Sequence, residues 1–440
     1  MINNLTKLDA TALIELLKSK KVTIAEVVNA YLDVIIHKDT DICAWEYIDR
    51  AVIEKQIKKI EKLNPSDYPL WGLPIGIKDI YNTFDMPTQM GSPIWKDFTP
   101  GNDARVVHYL RQNGALILGK TTTAEFAVHY QNKTHNPHDL KRSPGTSSSG
   151  SAAAVAADMI PVAFGSQTAG SIGRPASYCG IYGYKPTFGI LPRIGVLKTT
   201  DSLDTLGFFT KSARDLRLIL DASRVKGENY EYVHKYLDNY IPQTSKKFKI
   251  GIVKHSKWHL VDEFVKKEFE TFVQKLQHTD FIVEETTNLP EMEHIHDLHS
   301  IIYDKTLSYY FKEEFKQNSL ISPIFYEIIE RGNEIPLSTY QDAVETQTKM
   351  IHSFEEHYSK YDILLTISTA DEAPIGLTTP DTPDSNLIWT FLGMPTVSIP
   401  ALKGKNSLPV GVLAIAKKYD DYRLLEFVEK IKKKENDEKI

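Results

Sequence analysis

Residues 143–192 read SPGTSSSGSAAAVAADMIPVAFGSQTAGSIGRPASYCGIYGYKPTFGILP, and this segment is the most informative one for the organisation of the chain. Two Gly/Ser turns, 145–151 and 165–173, flank an apolar run at 152–164, so one compact unit carries two sets of serine hydroxyls. Glycine, serine and alanine leave backbone N–H groups uncovered. Such a turn before a helix directs several donors at one negative oxygen.

The overall composition is ordinary for a soluble globular protein. With 440 residues the chain exceeds the usual size of a single core, which predicts two domains or one large α/β unit. Apolar residues make up 42% and charged residues 25%, and the formal net charge is −5. A nucleic-acid surface needs a clustered basic face. The sequence has no such cluster, so we expect no nucleic-acid partner.

The N-terminus lacks the basic start, apolar core and cleavage site of a signal peptide, and no apolar run reaches the ~18 residues of a membrane span. The only cysteines, Cys43 and Cys179, are far apart, which disfavours a disulfide framework and predicts a reducing, cytoplasmic location. Cys179 has no basic neighbour in sequence to lower its pKa, so we interpret it as a buried packing residue and not a nucleophile.

Sequence patterns in the first part of the chain predict helices followed by a strand. Residues 5–63 show helical spacing of apolar positions, and Thr23 with Glu26 forms a capping-box pattern. These helices are predicted to pack against the core of the protein. At 72–83, alternation and β-branched residues indicate a strand that carries Lys78 inward.

Further elements alternate in the same way. Asp103 is predicted to cap a short helix that ends at residues 113–114. The remaining predictions are strands at 115–119, 247–253 and 281–284, a helix at 261–277 and mostly helices at 290–360. Strands alternating with helices predict a sheet covered by helices.

Several sequence blocks together resemble the amidase signature family. They are GLPIGIKD at 72–79, SPGTSSSGSAAAVAA at 143–157, GSQTAGSIGRPASYCG at 165–180, GYKPTFG at 183–189, SLDTLGFF at 202–209 and GMPTVSIPALKGKNSLPVGVLAIAKKYDD at 393–421. The resemblance implies an α/β fold in which helices cover both faces of a large, mixed, twisted sheet. It also implies a single domain over residues 1–440, with the variable, mostly helical region 225–360 near the substrate entrance.

The resemblance also implies a catalytic triad and its roles. Ser171 matches the acylated nucleophile, Ser147 the bridging serine, and Lys78 the base; the two serines are 24 residues apart, as in the family motif. In relatives a cis peptide bond precedes the bridging serine. The implied oxyanion hole consists of the backbone N–H groups of Thr168, Ala169, Gly170 and Ser171.

Amide cleavage makes clear demands on such a site. It needs an activated nucleophile, donors for the oxyanion and an acid for the departing nitrogen. A lysine serves as base only when neutral, so its pKa must fall from ~10.4 through burial or hydrogen bonding to the amine. Lys78 lies among Ile75, Ile77 and Ile80, which fits that requirement.

Other residues offer competing interpretations. Lys120 and Lys185 also lie in apolar surroundings, and spacing alone does not exclude either as the base. Arg174 is either a buried structural arginine or a ligand for a substrate carboxylate. The neighbouring serines are interpreted as turn or helix-capping residues: Ser148, Ser149 and Ser151.

The patterns for other chemistries are incomplete. HNPH at 135–138 and HDLH at 296–299 are histidine pairs, but a zinc site needs three or four ligands at a recognisable spacing. GTSSSG at 145–150 is not followed by the Gly-Lys-Ser/Thr of a phosphate-binding loop, and none of these serines is the centre of a G-x-S-x-G motif. We therefore expect neither a metal nor a cofactor.

The chain departs from the commonest family pattern. Thr146, Ser149 and Ala169 stand where glycine is usual, Gln167 replaces an acidic residue, and the arginine falls at Arg174, one place later than usual. None of these changes removes a triad residue. They weaken the interpretation as the catalytic subunit of a tRNA-dependent amidotransferase, whose version is usually DTGGSIR.

The sequence thus predicts an amidohydrolase that acts on a small-molecule amide through a Ser171 acyl-enzyme and releases ammonia or an amine. Two alternatives stay open: a glutamine-dependent, amidotransferase-like subunit, and a catalytically silent binding or scaffold paralog. A homodimer is also left open.

Overall fold

The computed structural model describes residues 2–128, 133–227, 235–242, 247–279 and 281–437. Within these ranges, eleven strands form one sheet. The strands are β1 (Trp45–Tyr47), β2 (Pro74–Lys78), β3 (Leu116–Thr121), β4 (Val162–Gln167), β5 (Tyr182–Lys185), β6 (Thr205–Thr210), β7 (Lys249–Ile252), β8 (Ile282–Glu285), β9 (Ile363–Ile367), β10 (Thr396–Lys403) and β11 (Pro409–Ile415).

The helices of the described residues connect and cover these strands. They are α1 (Ala10–Lys18), α2 (Ile24–Ile42), α3 (Arg50–Ile60), α4 (Arg105–Gln112), α5 (Ser149–Ala156), α6 (Gly173–Cys179), α7 (Ala213–Ser223), α8 (Lys235–Asp238), α9 (Glu263–Gln277), α10 (Ile295–Tyr310), α11 (Lys312–Phe315), α12 (Pro323–Glu334), α13 (Leu337–His357), α14 (Asn386–Phe391) and α15 (Asp421–Asp437). No helix in the described ranges is both long and apolar enough to cross a bilayer.

The sheet is mixed. Its strand order is β1-β3-β2-β4-β6-β5-β10-β11-β9-β7-β8. Strand β2 lies parallel to β3 and β4, and β7 lies parallel to β8 and β9, whereas the strands between these two groups pair antiparallel. Because β5 pairs with β10, a single continuous sheet joins the two halves of the chain.

Both faces of the sheet are buried. Along β11, Val412 and Ala414 belong to one apolar core, which also includes residues of α1, α2 and α15. Leu413 and Ile415 belong to a second core on the opposite face, with residues of α10, α12 and α13. Alternate side chains of a strand point to opposite faces. The prediction of a large mixed sheet with helices on both faces is therefore confirmed.

Most predicted elements are found, with shifted ends, but strand β1 interrupts the helical region predicted over residues 5–63. The capping box at the start of α2 is present, since Thr23 Oγ1 accepts from Glu26 N and Glu26 Oε2 accepts from Thr23 N. The prediction that Asp103 caps α4 is wrong. Ala104 occupies that cap position, while Asp103 accepts from Phe84 N.

Candidate active site

Lys78 ends β2 and is completely buried, with 0% exposure. Its Nζ lies 2.8 Å from Ser147 Oγ, 3.0 Å from Ser148 Oγ and 2.9 Å from Ser166 Oγ. The inward orientation predicted for this lysine is confirmed. The structure surrounds its amino group with three serine hydroxyls.

The pairing of the strands explains why these residues meet. Strands β2 and β4 are parallel, with Ile77 opposite Phe164, so their carboxyl ends lie at the same edge of the sheet. Ser166 extends β4 beyond that pair and comes to lie beside Lys78. The residues just before α5 also lie at this edge of the sheet, beside Lys78. The peptide bond between Thr146 and Ser147 is cis, as the resemblance implied.

The two competing lysines have other partners. Lys120 lies 3.0 Å from Asp79 Oδ1 and donates to Pro87 O and Thr88 Oγ1. Lys185 donates to the carbonyl oxygens of Pro186 and Met394. Lys78 is therefore the buried lysine of the described chain whose amino group contacts serine hydroxyls.

Burial lowers the pKa of Lys78 well below its ordinary value, because the ammonium form loses its hydration. The negative charge of Asp204 opposes this shift but does not cancel it. The serine hydroxyls form neutral hydrogen bonds and supply no compensating charge. The surroundings of Lys78 thus favour the neutral amine.

Ser171 lies on the loop that joins β4 to α6, and its residue is 6% exposed. Within the described ranges its hydroxyl makes no hydrogen bond to a protein group. The structure therefore brings Lys78 and Ser147 together but does not hydrogen-bond Ser171 to either. Catalytic hydrogen bonds are often long before substrate binds, so this arrangement is compatible with a later contact.

The backbone of the same loop presents donors. The N–H groups of residues 168–171 donate to no acceptor among the described residues. The carbonyls of the first three of these residues are bonded: Thr168 O accepts from His299 Nε2 at 2.9 Å, Ala169 O from Thr390 Oγ1 at 2.7 Å, and Gly170 O from Arg174 N at 2.9 Å. The loop thus has carbonyl groups that accept hydrogen bonds and N–H groups that have no acceptor among the described residues.

Gln167 secures the end of this loop. Its Oε1 accepts from the N–H groups of Ile172 and Gly173 at 2.8 and 2.9 Å, and its Nε2 donates to Thr390 Oγ1 at 2.8 Å. A carboxylate at this position could accept from the two N–H groups but could not donate to Thr390. The glutamine therefore joins the loop to α14.

Gly173 packs tightly against α14. A Cβ atom at this position would lie 1.8 Å from Asn386 Oδ1, far inside van der Waals contact. Asn386 is itself held by a hydrogen bond from its Nδ2 to Ser368 O at 2.9 Å. Only glycine fits this position without displacing Asn386.

Asp204 collects hydrogen bonds from two segments. It accepts from Thr168 Oγ1 at 2.9 Å and from the backbone N–H groups and hydroxyls of Thr199 and Thr200. This buried carboxylate therefore ties the first residue of the candidate oxyanion loop to the segment before β6. Its sequence block was recognised, but its role in holding the loop was not predicted.

Arg174 is paired with two acidic residues. Its Nε donates to Asp384 Oδ2 at 2.6 Å and its Nη1 to Asp381 Oδ2 at 2.9 Å, and all three side chains are about nine-tenths buried or more. Burial acts to lower the pKa of Arg174, but the charges of Asp384 and Asp381 outweigh it and keep the guanidinium protonated. These contacts favour the structural interpretation over binding of a substrate carboxylate.

Two cavities flank the loop. One, of about 460 Å³, is lined by Ala169, Arg174, His296 and Asp381, among others. The second, of about 360 Å³, is lined by residues that include Thr168. Open space therefore lies on both sides of the loop.

The structure corrects the interpretation of one serine and adds another. Ser148 occupies the cap position of α5 without a side-chain capping bond, and its hydroxyl instead contacts Lys78 and donates to Ser166 O at 3.1 Å. Ser166 was not predicted, although it lay inside a recognised block and at the end of a strand beside β2. Ser151, also buried, donates to Phe164 O.

Three of the four histidines in the two pairs contact backbone oxygens. His135 contacts Leu140 O at 2.6 Å and His138 contacts Cys179 O at 2.9 Å. In the second pair, His299 bonds to the candidate oxyanion loop, while His296 lines the larger cavity. Among the described residues, no group of three His, Cys, Asp or Glu side chains is arranged to hold a metal ion.

A family model described as amidase matches residues 26–425. The chain belongs to the amidase signature family. A glutamyl-tRNA(Gln) amidotransferase protein of Alkaliphilus metalliredigens is 31% identical over 462 aligned positions, covering 92% of each chain.

Solved structures of this family share the fold. A structure described as an amidase superposes with a TM-score of 0.86 at 24% identity, covering 97% of this chain and 100% of the other. The peptide amidase of Stenotrophomonas maltophilia gives a TM-score of 0.82 at 22% identity, with 96% of each chain covered. The amidase-signature architecture predicted from the sequence blocks is therefore confirmed.

Proposed function

We propose that this member of the family is an amidohydrolase that cleaves a carboxamide C–N bond through an acyl-enzyme on Ser171. The observation that carries the proposal is the fully buried amino group of Lys78, 2.8 Å from Ser147 Oγ, at the edge of the sheet from which the Ser171 loop emerges. A buried lysine beside an uncharged hydroxyl is suited to act as a base.

The contacts of the Lys78 amino group permit a proton relay through Ser147. Ser148 donates its hydroxyl hydrogen to Ser166 O, so its oxygen can only accept from Lys78. A neutral amine has two N–H donors and one lone pair. Assigning the second N–H donor to Ser166 leaves the lone pair for the hydroxyl hydrogen of Ser147, which is the arrangement that the relay requires.

The proposed reaction begins with acylation. Ser171 Oγ attacks the amide carbon while its proton passes to Ser147 Oγ and the proton of Ser147 passes to Lys78. The carbonyl oxygen becomes an oxyanion that the N–H groups of residues 168–171 stabilise. The C–N bond then breaks as the relay returns a proton to nitrogen, and ammonia or an amine leaves. Water repeats the attack on the ester and releases the carboxylic acid and Ser171.

A fluorophosphonate probe tests the nucleophile without knowledge of the substrate. Ser171 Oγ should attack phosphorus and displace fluoride, leaving a covalent adduct on this serine alone. Labelling should disappear in Ser171→Ala and persist in Ser151→Ala, which removes a buried serine hydroxyl that does not contact Lys78. An unlabelled, folded wild type would instead support the silent scaffold. Ammonia release from a panel of aliphatic, aromatic and amino-acid amides then identifies the acyl group.

Similarity to glutamyl-tRNA(Gln) amidotransferase proteins supports a second candidate function, an amidotransferase-like subunit that passes ammonia to a partner. The substitutions at Gln167 and Ala169 weigh against it, because they depart from the DTGGSIR pattern usual in those proteins. The two functions differ in their requirements. Ammonia release from glutamine that needs a co-purifying protein would favour the amidotransferase, whereas turnover of other amides by the isolated chain would favour the amidohydrolase.

A further inference from the structure

The candidate oxyanion loop is held through its carbonyl oxygens by three different parts of the chain. Arg174 N comes from the first turn of the adjacent helix, Thr390 from α14, and His299 from α10. His299 lies 131 residues from Thr168 in sequence. It belongs to the mostly helical region where the sequence offered no recognisable block.

These contacts act on the donors through the peptide units. The carbonyl of one residue and the N–H of the next belong to the same amide group. A hydrogen bond accepted by the oxygen polarises that amide and strengthens its N–H as a donor. The His299 contact with Thr168 O therefore acts directly on the N–H of Ala169, and the Thr390 contact with Ala169 O acts on the N–H of Gly170.

The histidine itself is firmly placed. His299 is 3% exposed, and its ring lies stacked on Tyr303, with centroids 5.6 Å apart and an angle of 22° between the planes. A carbonyl oxygen only accepts hydrogen bonds, so Nε2 must carry the proton in this contact. The imidazole is thus a fixed donor directed at the loop.

We propose that His299 is a positioning residue that fixes and polarises the Thr168–Ala169 peptide, so that the N–H of Ala169 faces the oxyanion of the reaction. Through this bond, α10 sets the geometry of the oxyanion hole from outside the triad. The inference rests on the proposed amidohydrolase function. It concerns transition-state stabilisation and not substrate binding, because the contact is made to the backbone of the loop.

Fluorophosphonate labelling at a series of probe concentrations tests this role, because it separates the maximal labelling rate from the half-saturating concentration. His299→Phe keeps a planar ring but removes the donor. Its maximal rate should fall about 10- to 100-fold, somewhat less than the usual loss of a direct oxyanion donor. The half-saturating concentration should change less than about threefold. His299→Gln restores an N–H donor and should recover most of the rate.

Thr306→Val provides the matched control. Thr306 is buried on the same helix and donates to the carbonyls of Ile302 and Tyr303 within it, so its loss perturbs α10 without touching the loop. Its labelling rate should stay within about threefold of wild type. Should His299→Phe fail to fold, His299→Leu also removes the donor to Thr168 O and should lower the maximal rate in the same way.

The outcomes separate the two proposals. Wild type that is labelled at Ser171 together with a folded His299→Phe of unchanged maximal rate would overturn the role of His299 alone. A change confined to the half-saturating concentration would overturn it as well, because it would assign His299 to binding. Wild type without labelling would overturn the proposed function itself.

Discussion

Among the residues that the structure describes, three lysines are buried within strands of the sheet, and their immediate contacts distinguish them. Lys120 faces a carboxylate, which stabilises its charge, and Lys185 faces carbonyl oxygens. Lys78 faces neutral hydroxyls, which exchange protons with an amine. The chemistry proposed for the site therefore depends on the partners of the amino group and not on burial alone.

Replacing Lys78 by methionine tests that conclusion. Lys78→Met keeps most of the side-chain volume and removes the amine, so turnover and labelling should fall by about a thousandfold or more through loss of the general base and its relay. Amide hydrolysis and labelling rates measure the loss. The control Lys185→Met removes another fully buried lysine and should retain activity per folded molecule within about tenfold. Retention of wild-type rates in Lys78→Met would show that another base operates.

The pH dependence of labelling follows from the lowered pKa of Lys78. The protonated amine cannot accept a proton, so the maximal rate should rise with pH as Lys78 loses its proton and then level off below the range of an ordinary lysine. Asp204→Asn removes a negative charge that raises this pKa, so its rising limb should lie at lower pH than that of wild type. Maximal labelling rates of both proteins, measured from acidic to alkaline pH, test this expectation. A rise that occurs at higher pH in Asp204→Asn than in wild type would contradict the role of Lys78 as the base.

At the scale of elements, the predictions were good where local patterns determine structure. The capping box at Thr23 and the strand that ends at Lys78 are such cases. The prediction that Asp103 caps α4 was wrong because its carboxylate accepts from Phe84 N, in another segment, and not from an N–H group of α4. The family resemblance implied Ser147 as the partner of Lys78, but the additional contact of Ser148 was not predicted, since it depends on the approach of the turn before α5 to the end of β2.

The junction between α1 and α7 gives a prediction about stability. Asp215 is fully buried in α7 and accepts from the N–H groups of Ala10 and Thr11 and from the Thr11 hydroxyl, so it satisfies the start of α1. Asp215→Ala leaves these donors without a partner and should lower the free energy of unfolding by about 2 to 4 kcal/mol. Urea unfolding measures the change, while labelling per folded molecule should be unaffected. A loss below about 0.5 kcal/mol would contradict this account.

At the scale of the whole molecule, the order of the strands could not be read from the sequence. Strand β5 pairs with β10, more than two hundred residues later, and β7 pairs with both β8 and β9. Alternation of apolar and polar residues identifies a strand but does not say which strand lies beside it. The neighbours of a strand depend on which sheet edges are unpaired when the rest of the chain has folded. Family resemblance supplied the general architecture because its blocks occur on both sides of the central pairing.

The continuous sheet predicts cooperative unfolding. Because β5 and β10 lie side by side at the centre of the sheet, each half of the chain loses this central strand pairing when the other unfolds. Differential scanning calorimetry should therefore show one transition, as expected for the single domain predicted over residues 1–440. Two separated transitions, or a stably folded fragment that ends near residue 225, would contradict it.

The close approach of Gly173 to Asn386 also constrains how this site can evolve. Restoring arginine at position 173 would drive a long side chain into the amide of Asn386, whereas shortening residue 386 alone would leave an unfilled gap and release Ser368 O. Each single exchange is therefore disfavoured, and the route back to the commoner motif requires paired substitutions on two segments more than two hundred positions apart. Libraries that randomise only the glycine-rich segment should miss this epistatic pair.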